Sequence, residues 1–230
     1  MSKNRLWTFI VIATAICSLS SAAHAALEDV SAAPDARLYG SAAVFHRGTE
    51  TFPQWTNVMR RAAAETRSNR VCAAAVENGC VPAEWRALLE TIAPLPLMAK
   101  LETVNRAFNA RPYVPAWQNW HRTSYWETPF EFLARGGQCE DYAIAKYLAL
   151  HAVGVGDDVI RVLIVRDTDL GVDPAVLLAD FGGQSYLLDN LQPRIVPAAL
   201  ATQYRPYYAI NLSGYWTYFG GRSMFAATRG

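Results

Sequence analysis

Apolar positions recur with a helical period through the first half of the chain. Thr51 and Pro53 predict a helix start, and that helix continues to an alanine-rich stretch near Ala64. A second helix is expected after Pro82. The apolar positions of a third helix are spaced by three or four residues and share one face: Leu97, Leu101, Val104 and Phe108. These helices are expected to pack on a common core.

Two further helices are predicted around a glycine pair at residues 136–137. Thr128 is a hydroxyl cap followed by proline and then, at the third position, by Glu131, so a short helix is predicted from there to Arg135. The next helix is predicted to begin at Cys139 and to stop at Gly154. Its apolar face is Ile144, Tyr147, Leu148 and Ala152.

The period changes in the last third of the chain. Apolar or β-branched runs at residues 159–165, 175–179, 185–188, 207–210 and 215–219 predict strands. The second and third runs are separated by Phe181-Gly182-Gly183-Gln184, which is a hairpin signal. Helices come first and an antiparallel sheet follows, so the predicted fold class is α+β.

Residues 111–129 have no clear period and predict a loop, although they are rich in aromatic side chains: Tyr113, Trp117, Trp120, Tyr125 and Trp126. So much aromatic area is not left in water. The segment is therefore expected to pack either on the core or on a peptide-like ligand.

The N-terminus has the order of a secretory signal. Lys3 and Arg5 precede an apolar stretch over residues 6–16, and small residues follow up to Ala23-His24-Ala25. The apolar stretch is shorter than the about 20 residues of a membrane-spanning helix. We expect residues 1–25 to be a cleaved signal peptide, residues 26–37 to be a loose segment, and the mature protein to be periplasmic.

Composition excludes several classes of protein. The chain is 52% hydrophobic and 18% charged, as in ordinary globular proteins and unlike disordered or coiled-coil chains. The net charge is +1 and no basic stripe is interleaved with aromatics, so no nucleic-acid partner is expected. Since no other long apolar run occurs, a multi-span membrane protein is excluded.

Three cysteines follow the predicted signal peptide. Cys72 and Cys80 lie around a turn and are candidates for a local disulfide in an oxidising compartment, which leaves Cys139 unpaired. Cys139 is either a buried structural cysteine or a reactive one. Its place at a helix N-terminus favours the thiolate, because free backbone N–H groups and the helix dipole stabilise negative charge there.

A cysteine nucleophile needs a histidine that takes its proton and a carboxyl or amide group that orients this histidine. Asp189 ends the strand predicted at residues 185–188, which would deliver a carboxylate to the strand tip. The pattern alone is equally typical of a turn residue paired with Asn190.

Residues 136–147 read GGQCEDYAIAKY, residues 187–191 read LLDNL and residues 52–55 read FPQW. Together these stretches resemble the bacterial transglutaminase-like cysteine peptidases, over about residues 38–216. That family includes the periplasmic protease that releases large biofilm adhesins from the cell surface. The resemblance implies a papain-like or transglutaminase-like fold, with N-terminal helices on a C-terminal sheet, in one domain over residues 38–220 followed by a tail. It also implies a Cys-His-Asp triad in which Cys139 matches the nucleophile and Asp189 the orienting acid.

The triad histidine is missing from this resemblance. Family members have histidine followed by Ala-Val before the hairpin, whereas this sequence has Pro174 in the histidine slot, followed by Ala-Val. Proline cannot accept a proton, so peptidase activity is expected to be impaired. His121, in the aromatic segment, is the candidate substitute base. His151 lies twelve residues along the cysteine helix, about 18 Å away, and is excluded, while His46 is expected at the surface.

Calcium is the one cofactor to consider. Glu140 and Asp141 beside a thiolate would raise its pKa unless a cation neutralised them. The resemblance implies calcium near the nucleophile, held by acids on both sides of it, but Gln138 replaces the preceding acid here. Calcium affinity is therefore expected to fall, and Glu140 and Asp141 either remain weak ligands or only favour the helix start.

Two interpretations of function follow. In the first, the chain is an exported cysteine peptidase that uses Cys139, Asp189 and a histidine, which is either His121 or a misread Pro174. In the second, it is a non-catalytic module that binds peptide or protein on the same fold. Transferase activity, which joins glutamine to amines, is a weaker third. The expected partner is a protein or peptide, such as a surface adhesin or its regulator, with no membrane contact after signal cleavage.

Overall fold

The computed structural model describes residues 38–75 and 79–222. The predicted signal peptide, the segment 26–37 and most of the predicted tail over residues 221–230 lie outside these ranges. Within them, no helix combines the length and apolar character needed to cross a membrane.

The predicted helices are confirmed, and their bounds are α1 Pro53–Glu65, α2 Ala83–Ile92, α3 Leu97–Asn109, α5 Pro129–Arg135 and α6 Cys139–Ala152. The prediction of a continuous loop over residues 111–129 is wrong, because α4 occupies Ala116–Trp120. Five residues are too few to show a helical period, so this helix carries no sequence signal.

Seven strands form one antiparallel sheet, and their bounds are β1 Ala42–Arg47, β4 Ile160–Asp167, β5 Ala175–Phe181, β6 Gln184–Leu188, β7 Val196–Pro197, β8 Tyr204–Ile210 and β9 Gly214–Phe219. Their order in the sheet is β1-β9-β8-β4-β5-β6-β7. Two short strands, β2 Val71–Cys72 and β3 Val81–Pro82, pair separately in parallel. The five predicted strands are confirmed. The predicted order, with all helices before the sheet, is corrected by β1, which precedes α1 and pairs with β9.

Alternation along β5 separates two cores. Ala175 and Leu177 face α6, which packs on β4 and β5. Val176 and Leu178 face the opposite side, which two short 3-10 turns at Leu38–Gly40 and Ala198–Leu200 help to cover. Because α6 lies directly on β5, its first residue is close to the point where β5 begins.

The candidate disulfide is present. Cys72 and Cys80 are joined, with Cα atoms 5.7 Å apart, while Cys139 is free. The covalent link closes the loop between β2 and β3, far in sequence from the free thiol.

Candidate active site

Two glycines bring the chain into α6. Gly136 has a φ of 71°, in the left-handed region, and a Cβ added there would lie 2.2 Å from the carbonyl oxygen of Pro112. A Cβ on Gly137 would lie 2.6 Å from a carboxylate oxygen of Asp141. This close approach lets α6 begin at Cys139, as predicted.

A reciprocal capping box holds the first turn of α6. The Gln138 backbone N–H donates to Asp141 Oδ2 at 2.8 Å, and the Asp141 N–H donates to the Gln138 backbone carbonyl at 2.9 Å. Asp141 Oδ1 accepts from the backbone N–H of Glu127 at 2.7 Å. Burial and the nearby Glu127 carboxylate raise the pKa of Asp141 well above its usual range. Both oxygens of Asp141 therefore serve to fix the helix start.

The thiol of Cys139 contacts a carboxylate. Its Sγ lies 3.1 Å from Glu140 Oε2. Burial, reinforced by the Glu140 charge, raises the pKa of the Cys139 thiol to about 12, although the backbone N–H groups of Ala175 and Glu140 act in the opposite direction. The helix N-terminus alone would favour the thiolate, so desolvation and the adjacent acid outweigh the dipole here.

Residue 174 lies next to the thiol. The N–H of Ala175, the following residue, interacts with the Cys139 sulfur. The carbonyl oxygen of Pro174 accepts from the N–H of Val165 at 3.0 Å, which fixes the entry into β5. The slot that the resemblance assigns to histidine is thus beside the sulfur, and its side chain has no proton acceptor.

The carboxylate of Asp189 is buried and fully bonded. It follows β6, one residue beyond the pair Leu188 and Leu177. Its Oδ2 accepts from the Tyr204 hydroxyl at 2.7 Å and its Oδ1 from the Leu191 N–H at 2.8 Å. Asp189 and Tyr204 line a cavity of about 140 Å³. Asp189 is therefore a fixed acceptor, and it also acts as the turn residue that the sequence pattern allowed.

A helix-borne thiol beside the first residues of one strand, with a buried acid after the next strand, is compatible with the cysteine peptidase arrangement that the resemblance implies for Cys139 and Asp189. The family of bacterial transglutaminase-like cysteine proteinases matches residues 70–216 of this chain. The chain belongs to this family. The predicted family and the α+β papain-like fold are thereby confirmed.

Solved structures of one family relative are similar to the chain. Calcium-bound LapG of Legionella pneumophila is 32% identical with a TM-score of 0.53, and the match covers 58% of this chain and 76% of that chain. The EGTA-treated form of the same protein is 31% identical with a TM-score of 0.52, covering 58% and 74%. Among the curated proteins, none matches the sequence significantly.

No histidine has a hydrogen bond to the thiol within the described part of this family member. His121 is the left-handed C-cap of α4, with a φ of 53°, and its ring has no hydrogen bond to Cys139 or Asp189. His46 stacks on Tyr215 in the sheet with ring centroids 4.5 Å apart. His151 lies in the last turn of α6. The prediction that His121 acts in place of the family's catalytic histidine is therefore supported by no hydrogen bond.

The predicted calcium ligands fit a calcium site poorly. Calcium takes six to eight oxygen ligands. Both oxygens of Asp141 accept backbone N–H groups, and one oxygen of Glu140 accepts the thiol. Within residues 38–75 and 79–222, no three His, Cys, Asp or Glu side chains are placed to hold a metal ion.

The aromatic segment of this family member packs partly on the core and partly borders the thiol. Trp126 is buried, whereas Tyr113 is 58% and Trp117 is 65% exposed. Tyr113 pairs with Gly137, and the Ala116 N–H donates to Gln138 Oε1 at 3.3 Å. The exposed aromatics are therefore attached to the residues that precede the thiol. Core packing is confirmed for Trp126, whereas packing on a peptide-like ligand stays a prediction for Tyr113 and Trp117.

Sequence reasoning missed the residues that surround the two matched ones. The Tyr204 hydroxyl donates to the Asp189 carboxylate, and the Ala175 backbone N–H interacts with the Cys139 sulfur. The Gln138 side chain accepts a hydrogen bond from the first residue of α4 and so connects α4 to α6. Tyr204 lies fifteen residues from Asp189 and in another strand, so only the register of the sheet could have revealed the contact.

Proposed function

We propose that this chain is an exported, catalytically weakened member of its family that holds an extended peptide segment beside Cys139 with little or no cleavage. The observation that carries the proposal is the hydrogen-bond partner of the thiol, which is the carboxylate of Glu140 rather than an imidazole. Under this proposal Cys139 and Asp189 keep the positions of nucleophile and orienting acid, while residue 174 has lost the proton acceptor.

The chemistry of the thiol supports weak turnover. With a pKa of about 12, on the order of one thiol in 10⁵ is ionised at pH 7. Attack on a peptide carbonyl then needs a base to take the proton during the step. Glu140 is in contact, but carboxylates accept protons less readily than imidazole at neutral pH.

The surface beside the thiol supports peptide binding. Tyr113 and Trp117 expose large aromatic areas next to the start of α6. Aromatic groups with one polar edge are favoured at protein and peptide interfaces. The proposed partner is an extended segment of a protein, such as a surface adhesin or its regulator.

Export to the periplasm is supported by two features. The Cys72–Cys80 disulfide is typical of oxidising compartments. The order of charged, apolar and small residues over positions 1–25 is typical of a cleaved signal.

We expect this site to bind calcium more weakly than a site that has an acid on both sides of the cysteine. LapG of Legionella pneumophila has a calcium-bound structure. In this chain Gln138 is neutral, and Asp141 is engaged by backbone donors. We therefore propose that calcium binds weakly and is not needed to keep the fold.

The test is to restore the imidazole with Pro174→His and to use Pro174→Ala as the matched control. Iodoacetamide labelling of Cys139 should be slow in the natural sequence, unchanged in Pro174→Ala, and at least about tenfold faster in Pro174→His at pH 7. Cleavage of fluorescently labelled casein should be gained only in Pro174→His. Fast labelling of the natural sequence that is lost in His121→Ala would overturn the proposal, because it would identify His121 as a working base.

A further inference from the structure

The turn that begins at the last residue of β6 is fixed by side chains from two helices, of which Lys146 and Asn105 are buried and Asn109 is half-buried. Three of its backbone carbonyl oxygens, those of residues 188, 189 and 192, accept hydrogen bonds from such side chains. The donors are Lys146 to Leu188 at 3.2 Å, Asn109 to Asp189 at 2.9 Å, and Asn109 and Asn105 to Gln192 at 2.9 and 3.3 Å. Short turns normally lie at the surface with solvated carbonyls, so three side-chain donors on one turn, two of them buried, are unusual.

Lys146 is central to this cluster. Its side chain has no exposed area, and its Nζ also donates to Asn105 Oδ1 at 2.9 Å. A buried ammonium is costly unless it is paired. The opposite charge that acts on it is Asp189, while Tyr142 lies on the same helix with its ring centroid 6.0 Å from Nζ.

The same helix carries the thiol. Lys146 is seven residues after Cys139, two turns along α6, which corresponds to a rise of about 10.5 Å. A helix is rigid over this length, so the bond from Lys146 to Leu188, the last residue of β6 and the neighbour of Asp189, fixes the acid relative to the sulfur.

We propose that Lys146, assisted by Asn105 and Asn109, is a positioning residue that sets the place of the Asp189 carboxylate relative to Cys139. This inference depends on the proposed function, because the acid has a catalytic meaning only if residue 174 is the histidine slot. Lys146 itself touches no reacting atom.

The experiment uses the full chain with Pro174→His and measures the pH profile of Cys139 labelling. Lys146→Met, which removes the donors with little change in length, should lower the labelling rate at pH 6.5 at least about fivefold and match the profile of Asp189→Asn within about twofold. Ile144→Val is the control, since it shortens a buried side chain on the same helix without touching the turn. A profile in Lys146→Met equal to that of the control would overturn the inference.

The proposed function and this inference can fail separately. If Pro174→His does not accelerate labelling, the histidine slot is wrong, and the inference is then decided in the natural sequence by amide hydrogen exchange. Lys146→Met should speed exchange of the Leu191 N–H, which donates to Asp189, at least about tenfold beyond the effect of Ile144→Val. No such increase would overturn the positioning role. If Lys146→Met does not fold, Asn109→Ala at the end of α3 undergoes the same measurements with the same criteria.

Discussion

The thiol end and the acid end of the candidate site differ in how completely their polar groups are paired. Each oxygen of the Asp189 carboxylate has a donor, and the carbonyls of its turn are bonded to Lys146, Asn105 and Asn109. The sulfur of Cys139 instead contacts the Glu140 carboxylate. Burial of the thiol and the charge of Glu140 both favour the protonated form. The acid is thus held by hydrogen bonds to both of its oxygens, whereas the hydrogen-bond partner of the sulfur is another acid, Glu140.

This difference distinguishes the residues that hold the geometry of the site from the groups that would carry out a reaction. The capping box at Asp141, the glycine pair before α6 and the Asp189 turn hold the geometry of a cysteine peptidase without any help from an imidazole. Under the proposed function, loss of one proton acceptor would leave this scaffold in place and lower turnover, so that a peptide segment is held without being cut.

The largest effect is expected from breaking the scaffold at the thiol end. Asp141→Ala removes the acceptor for the N–H groups of Glu127 and Gln138, which are left without partners in a buried region. Two unsatisfied donors at one to three kcal/mol each should cost about 4 kcal/mol of the free energy of unfolding. Urea denaturation followed by tryptophan fluorescence measures the loss.

Asp141→Asn is the matched control for that substitution. The amide keeps one acceptor oxygen and removes the charge that burial and Glu127 disfavour. Its cost should therefore be about 1 kcal/mol, well below that of Asp141→Ala. Equal losses in the two variants would show that the hydrogen bonds to Asp141 do not hold the helix start.

Local signals were enough to predict the elements that carry the site. The capping box at Thr128 and Glu131 forms as predicted, and the start of α6 at Cys139 follows from the glycines before it. Strand β1 was missed because it lies at the edge of the sheet and lacks a strict alternation of buried and exposed positions. Its partner β9 is about 170 residues away, so no local pattern could have indicated the pair.

The site itself was only half predictable. Cys139 and Asp189 were found from a helix start, a strand tip and a family resemblance. The sequence predicts that the helix dipole lowers the pKa of the thiol and that the adjacent acids raise it, but it gives no sign of the burial, which is the largest cause of the raised pKa. Desolvation depends on what covers a group, and the covering strand β5 is more than thirty residues away. The role of Lys146 was missed for the same reason.

The pH dependence of the free energy of unfolding tests how the buried Lys146 stabilises the region around Asp189. Burial lowers the pKa of Lys146 to about 7 from 10.5, while the Asp189 charge acts in the opposite direction and only partly offsets it. Between these values the unfolded chain holds a proton that the folded chain has released, so the free energy of unfolding rises with pH. From pH 7 to pH 9 the increase should be about 2 kcal/mol, and the Lys146→Met variant should lack it. An equal rise in both proteins, measured by urea denaturation at pH 7, 8 and 9, would assign it to another group.

The smallest effect is expected from removing calcium, and it tests whether the acids at the thiol end need a cation. Both oxygens of Asp141 accept N–H groups, and Gln138 supplies no charge, so a bound ion would gain few ligands here. Adding a calcium chelator should therefore shift the melting temperature by less than about 2 °C, since a weakly bound ligand adds little to stability. Gln138→Asp is the matched variant, because it restores an acid before Cys139 and should make the melting temperature respond to added calcium. A large drop with chelator in the natural sequence would mean that Glu140 and Asp141 are calcium ligands, and the negative charge beside the thiol would then be neutralised.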